Sequence, residues 1–266
     1  MAETPHNPDF FSPSAVTARI VKGGALLPDM RAMAALWNEG MEKGNPLPEI
    51  ARALPKATMS RVKDTYTRVF RPRFLQGSPR NAWRYARVLE EKGAELNTIR
   101  SFHYWVTART EPALYGFVTE RLLPAHRAGA FDVRTADAAE WLEDVNQRAG
   151  RKWTPTVTLK TARGILAALR DFGVLEGGSR KRIAPVSLGG EAFSLVAFCL
   201  NELGYSGRAL LRSSDWKIFL LGETGVEHMC LEAHQYGRMN FESAGGIVRT
   251  EFPEISFGEY ADVVLA

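Results

Sequence analysis

TARGILAALRDFGVLEGGSRKRIAP, residues 161–185, is the stretch that decides how this chain is read. Ala162, Ile165, Leu166 and Leu169 follow the i, i+3, i+4, i+7 spacing of a single buried stripe, which predicts a helix over residues 158–172. Lys160, Arg163, Ala167 and Arg170 then fall on the opposite, exposed face. Gly173 takes the left-handed conformation that ends a helix without steric cost. Residues 174–175 and 183–186 are short and apolar enough to pair as strands, with Gly177, Gly178 and Ser179 in the turn between them. A helix feeding such a hairpin is the end of a winged-helix unit, and this hairpin carries Arg180, Lys181 and Arg182. The positive tip has a partner if that partner is phosphate, with each contact adding salt-sensitive affinity. A winged helix used only to pack against protein is the alternative.

Upstream, residues 28–39 read as a first helix with Met30, Met33, Ala34 and Trp37 at helical spacing. A second short helix covers residues 47–54, and a turn at Pro55, Lys56 and Ala57 follows. Thr58 is suited to cap a third helix running to about Phe70. Val62, Tyr66, Val69 and Phe70 form its inner face, Arg61, Thr65 and Arg68 lie on the other side, and Lys63 and Thr67 lie near its edge. Helix, short turn, and a helix with a basic face is the helix-turn-helix pattern. An ordinary helical hairpin with a solvated face is the bland alternative. Residues 80–109 are expected to be mostly helical, with Trp83, Tyr85, Phe102, Tyr104 and Trp105 at core spacing rather than as a base-stacking platform. Further helices are expected from Pro112 to just before Pro124 and over residues 132–143.

The charge is unevenly spread. Residues 52–100 hold twelve Lys/Arg against four acids, and residues 148–182 hold nine against two. Residues 183–266 reverse the balance, with five against eleven. Two basic segments point to an anionic polymer, and the acidic remainder to another use. That remainder repeats the outline in helices over 192–203, 215–221 and 226–236, a hairpin turning at residues 243–246, and a last helix over 257–265. Its charge suits packing or a protein partner.

The fold expected is mainly α: a helical bundle with helix-turn-helix and winged-helix units and short hairpin wings. It divides into a disordered tail over residues 1–20, a helix-turn-helix-like domain over 21–80, and a helical middle over 81–150. A winged-helix unit over 151–190 and an acidic α+β unit over 191–266 complete it. Cys199 and Cys230 sit in apolar helical context and read as reduced core residues. The N-terminus lacks the basic and apolar regions of a signal peptide, and the longest apolar run, residues 192–200, is too short to span a bilayer; a cytoplasmic protein is expected.

Catalytic signatures are sparse. No Walker loop, Gly-x-Ser-x-Gly or Cys-x-x-Cys occurs, so neither enzyme nor cofactor is expected. His228 and Glu232 are spaced for one helix face, with His234 nearby, but no third ligand has convincing spacing and a surface helix is the better reading.

Three stretches taken together, KGGALLPDMR (residues 22–31), RSFHYWVTARTEPALYGFVTE (residues 100–120) and LKTARGILAALRDFGVLEG (residues 159–177), resemble the BrxA family of the bacteriophage exclusion (BREX) defence systems. The resemblance runs from about Val21 to the hairpin; the segment after about Gly190 exceeds shorter family members. It implies a small, mainly helical, non-enzymatic component encoded beside a DNA methyltransferase, an ATPase and a phosphatase-like protein. It also implies double-stranded DNA binding through helix-turn-helix or winged-helix elements. The residues expected to touch DNA are Ser60, Arg61, Lys63, Thr65, Arg68, Lys160, Arg163, Arg170, Arg180, Lys181 and Arg182. A protein-docking scaffold in the same complex, using the winged helices and the acidic unit, is the alternative.

Overall fold

The computed structural model describes residues 10–54, 57–185 and 188–266. Short helices α1 (Ile20–Gly23), α2 (Leu27–Leu36), α3 (Glu39–Lys43) and α4 (Leu47–Ala53) lead into α5 (Met59–Thr65). Helices α6 (Trp83–Glu91) and α7 (Leu96–Ala108) follow, then α8 (Pro112–Phe117) and α9 (Leu123–Arg127). Strand β1 (Asp132–Val133) precedes α10 (Thr135–Arg148) and α11 (Pro155–Asp171), and the hairpin β2 (Leu175–Glu176) and β3 (Lys181–Ile183) closes this part. Beyond it come α12 (Gly190–Glu202), α13 (Gly207–Leu211), a 3-10 turn over Ser214–Phe219, and α14 (Glu223–Gln235). The hairpin β4 (Asn240–Ala244) and β5 (Ile247–Glu251) and the final helix α15 (Phe257–Leu265) end the chain. The fold is mainly α with short antiparallel sheets, and one buried apolar cluster extends from Val16 to Val264.

Local chemistry explains the element that matters most. The Thr154 hydroxyl accepts from the Val157 amide at 3.4 Å and caps α11, while Pro155 at the first position has no amide to leave unsatisfied. Ala162, Ile165, Leu166 and Leu169 are all buried, as their spacing requires. Gly173 ends the helix with φ +79°. Strand β3 is central in a three-stranded sheet of order β1-β3-β2, with Val133 opposite Lys181 and Leu175 opposite Ile183.

Several expectations need correction. Residues 10–20 are not a disordered tail: Val16 and Ile20 are buried, and Phe11 lies against Trp141 with ring centroids 6.1 Å apart. A side chain at Gly116 would put its Cβ 2.2 Å from Phe11, so this strap needs glycine beneath it. Residues 132–143 do not start as helix; Asp132–Val133 pairs with β3, and α10 runs on to Arg148. The sheet therefore joins residues from both sides of the boundary placed at 150.

The helix expected to stop at Phe70 continues through Pro72 as a wide π segment, Tyr66–Leu75, and the one expected to end before Pro124 runs on through a π segment, Val118–Leu122, into α9, which holds Pro124 in its first turn. Pro72 has no amide to donate, and the wider turns accommodate it. The long helix expected over residues 80–109 is two helices, broken where Gly93 has φ +67°. The turn at 55–57 and the strand end at 186 fall partly outside the described residues.

Candidate nucleic-acid interface

Helix α11 spans 17 residues, a rod of about 25 Å. Its outward face carries Lys160 and Arg163, both exposed. Neither is within ion-pair distance of a carboxylate among the described residues. Arg170, a turn or two further on, is paired with its neighbour Asp171 at 2.7 Å. Both members of that pair are about half exposed, so the pair is weak and yields readily to another anion. At the C-terminal end of α11 the loop between β2 and β3 carries Arg180, exposed and without an ion pair among the described residues. Lys181 donates to the Gly178 carbonyl at 2.7 Å, folding back on its own loop. Arg182 approaches Glu176 across the hairpin at 3.5 Å.

The earlier basic element is more committed to structure. Thr58 caps α5 through the Arg61 amide at 3.3 Å. Ser60 and Lys63 are exposed. The Arg61 guanidinium donates to the Lys22 carbonyl at 3.2 Å, and Arg68 pairs with Asp64 at 3.0 Å. Thr65, expected on the outer side, is buried at 1% exposure and is withdrawn from any surface. It lies three residues after Val62 and four before Val69, both buried, so it shares their face.

Helix α1 brings the two basic elements together. Gly164 on α11 lies against the Ile20 backbone, where an added Cβ would sit 3.5 Å from its carbonyl carbon. Two residues on, Lys22 offers its carbonyl to Arg61 and its ammonium to Asp64 at 4.0 Å. Helix α1 thus touches both basic elements, α11 through Ile20 and α5 through Lys22. Lys22, which links them, was missed in the sequence because it is isolated from both basic segments.

Part of the positive charge counted in the sequence is paired with carboxylates, inside the fold or at its surface. Arg73 is fully buried, donating to Glu111 at 3.1 Å and to the Gly24 carbonyl at 3.0 Å. Burial lowers its pKa, opposed by the Glu111 carboxylate beside it. Arg84 pairs with Glu39, Arg31 with Glu90, and Lys92 with Asp262, each at 2.5 Å. Arg148 and Trp141 both donate to Glu120. Burial alone would raise the Glu120 pKa, but these two donors outweigh it and hold the carboxyl below its usual range.

The aromatic residues of residues 80–109 are largely interior: Trp83, Phe102, Tyr104 and Trp105 are 6% exposed or less. Arg109 and Asp215 form a buried pair at 2.5 Å, and Trp105 donates to the same carboxylate oxygen at 2.6 Å. Among the described residues no three of His, Cys, Asp and Glu gather as a metal-holding group. His228 is exposed, and the His234 Nδ1 accepts from the Phe241 amide at 3.3 Å, which ties it to β4. No helix among the described residues is long and apolar enough to cross a membrane.

Fold and surface together define a mainly α-helical protein with two cation-bearing helices, each in contact with α1, and a basic hairpin on a small antiparallel sheet. Residues 16–198 match the family model of BrxA. The chain belongs to the BrxA family, and with it to the components of BREX phage-defence systems. The match ends within α12, so α13 to α15 and the acidic hairpin lie beyond it. No curated protein and no solved structure matches the chain.

Proposed function

We propose that this protein is a non-enzymatic, double-stranded DNA-binding subunit of its defence system. In this reading β1, α10, α11, β2 and β3 make a winged helix. Helix α11 lies in the major groove, and the β2–β3 loop rests on the flanking phosphates. The observation that carries it is the pair Lys160 and Arg163, exposed on α11 with no carboxylate partner among the described residues. Unpaired cations on a helix flanked by a basic loop suit a polyanion, whose condensed counterions they displace. In the same reading Arg61 and Lys63 of α5, which α1 ties to the rest of the fold, lengthen the footprint. The methyltransferase, ATPase and phosphatase-like proteins of such systems are its protein partners, and its site of action is the cytoplasm.

The test is anisotropy of a labelled duplex titrated at two salt concentrations. Tight binding that weakens steeply with salt supports the proposal; absence of binding at low salt removes it. A scaffold role is favoured by the acidic hairpin β4–β5, which no phosphate would approach. Co-purification of the other defence proteins without DNA supports that reading.

A further inference from the structure

A groove of about 490 Å³ opens at the corner between α10 and α11, lined by Glu143, Asn146, Gln147, Arg151, Lys152, Trp153, Pro155 and Thr158. That volume is in the range of small-molecule sites. We infer that this groove holds an unpaired nucleotide of a nucleic-acid strand, its base on the Trp153 indole and its phosphate on Arg151 and Lys152. The inference goes beyond the duplex-binding reading, because a base can reach an indole face only when it is out of the duplex stack.

Three observations support it. The chain has six tryptophans. Five are buried: Trp37 0%, Trp83 6%, Trp105 0%, Trp141 2% and Trp216 1% exposed. Trp153 is the partly exposed one, and it borders the groove. An indole face left to water is a stacking surface for any base.

The second observation is positive charge without compensation. The Arg151 guanidinium lies 5.2 Å from the Trp153 ring centroid. It donates to the Asn146 side-chain oxygen at 2.8 Å and to the carbonyls of Ser14 and Pro13 at 3.2 and 3.1 Å. All three acceptors are neutral, so Arg151 is held rigid yet keeps its full charge. Arg148, three residues earlier, is instead neutralised by Glu120 and Asp144. Lys152 is exposed and has no ion pair among the described residues. Glu143 is the carboxylate of the lining, and neither cation is within ion-pair distance of it. A fixed guanidinium, an exposed ammonium and a partly exposed indole call for a ligand that is both anionic and aromatic.

Position is the third. The groove lies at the N-terminal end of α11 and the basic hairpin at its C-terminal end. Thr158 of the groove is buried, on the side of α11 away from Lys160 and Arg163, so a strand end from a duplex on the Lys160 and Arg163 face would round the N-terminal end of α11 to enter it.

The experiment compares a blunt duplex with the same duplex carrying a single-stranded thymidine tail, using the full chain. Anisotropy reads affinity, and tryptophan emission reads Trp153, the accessible indole. The tailed duplex is expected to bind about ten-fold more tightly than the blunt one and to quench the emission. Trp153→Leu is expected to abolish both the tail's advantage and the quench. Lys152→Glu, at an exposed position that perturbs no packing, is expected to abolish the advantage as well. Equal affinity for the two duplexes, or an advantage retained in both variants, overturns the inference. Blunt-duplex binding without a tail effect sinks it and leaves the duplex reading standing. Tail-dependent binding with no affinity for the blunt duplex supports it and sinks the duplex reading.

Discussion

The two hairpins of this protein both turn on glycine and are charged oppositely, although β2–β3 closes a five-residue loop between Glu176 and Arg182 and β4–β5 a two-residue turn between Ala244 and Ile247. The β2–β3 hairpin follows a capped helix, turns on glycine, and buries Leu175 and Ile183. The β4–β5 hairpin also follows a helix, turns on Gly245 and Gly246 with φ +57° and +82°, and buries Phe241 and Thr250. The first carries Arg180, Lys181 and Arg182; the second carries Glu242 and Glu251 around a lone Arg249. Backbone shape is set by the glycines and the inward side chains, and these recur. The outward charges serve the hairpin only in part: Lys181 folds back on Gly178 and Arg182 meets Glu176, while Arg180 has no ion pair among the described residues. Two hairpins of unlike charge are two surfaces for unlike partners.

The largest expected effect concerns how the acidic half is fastened. Asp215 accepts from Arg109, Trp105 and Ser213, at 2.5, 2.6 and 2.9 Å. Asp215→Ala leaves the Arg109 guanidinium buried and unpaired, which costs about 3–5 kcal/mol. Urea denaturation of the full chain measures it. A loss below about 1 kcal/mol, the value of an exposed pair, means that water reaches Arg109 and that the two halves are joined loosely.

The second effect tests the charge contrast directly. Changing Arg180, Lys181 and Arg182 together to Glu is expected to weaken duplex binding about ten- to hundred-fold, for all sequences alike, and to reduce the salt slope by about 2–3. Changing Glu242 and Glu251 to Lys is expected to leave duplex affinity within about two-fold, since rim charges away from the contact act only through the screened field. Comparable losses from both changes would erase the distinction between the hairpins.

The third effect is conformational. A Cβ at Gly177, where φ is +92°, would fall 2.3 Å from the Arg180 carbonyl oxygen, whereas at Gly246 the nearest atom is 3.8 Å away, at the tip of the Arg208 side chain. Gly246→Ala carries only the left-handed backbone cost, about 1–2 kcal/mol; Gly177→Ala adds a backbone collision and is expected to cost more. Thermal melting of the two variants ranks them, and equal losses would mean that the basic loop rearranges freely.

What could be read in the sequence was local. The stripe of α11, its glycine stop and the hairpin turn all lie within residues 161–185, and apolar spacing encodes them directly. Strand β1 was missed because two residues have no period; only pairing with Lys181 and Arg182 makes Asp132 and Val133 a strand. The strap at residues 10–16 was missed because proline-rich composition reads as a tail, and its seat over Gly116 exists only once α8 and α10 have packed. Charge counting went astray for a related reason. A sequence total cannot separate Arg73, buried against Glu111, from Arg163, which faces water. Trp153 was passed over because one aromatic after two loop cations has no periodic signature, and its partial exposure depends on the corner formed by α10 and α11.

The smallest effect separates the frame beneath the hairpins from the hairpins themselves. His103 on α7 is 1% exposed, packs against Phe74 with ring centroids 5.0 Å apart, and has no hydrogen-bond partner for either ring nitrogen. Burial, with the charges of Arg31 and Arg73 adding to it, pushes its pKa from 6.5 down to about 3. Between those values the unfolded chain binds a proton that the folded chain refuses. Stability therefore falls as pH drops below about 6.5, by about 1.4 kcal/mol per pH unit. Glu120 adds the same sign of dependence only nearer its ordinary value of 4.5, as its carboxyl becomes protonated. The interval from about pH 6 to pH 5 thus isolates the histidine. His103→Leu, which fills a similar volume without a proton to bind, is expected to flatten the urea-midpoint profile across that interval. It is also expected to leave the salt slope of duplex binding untouched, because nothing at position 103 reaches either hairpin. A profile as steep in His103→Leu as in the parent chain would place the acid sensitivity at the surface, and would make the two hairpins, rather than the helices beneath them, the part of the molecule that pH governs.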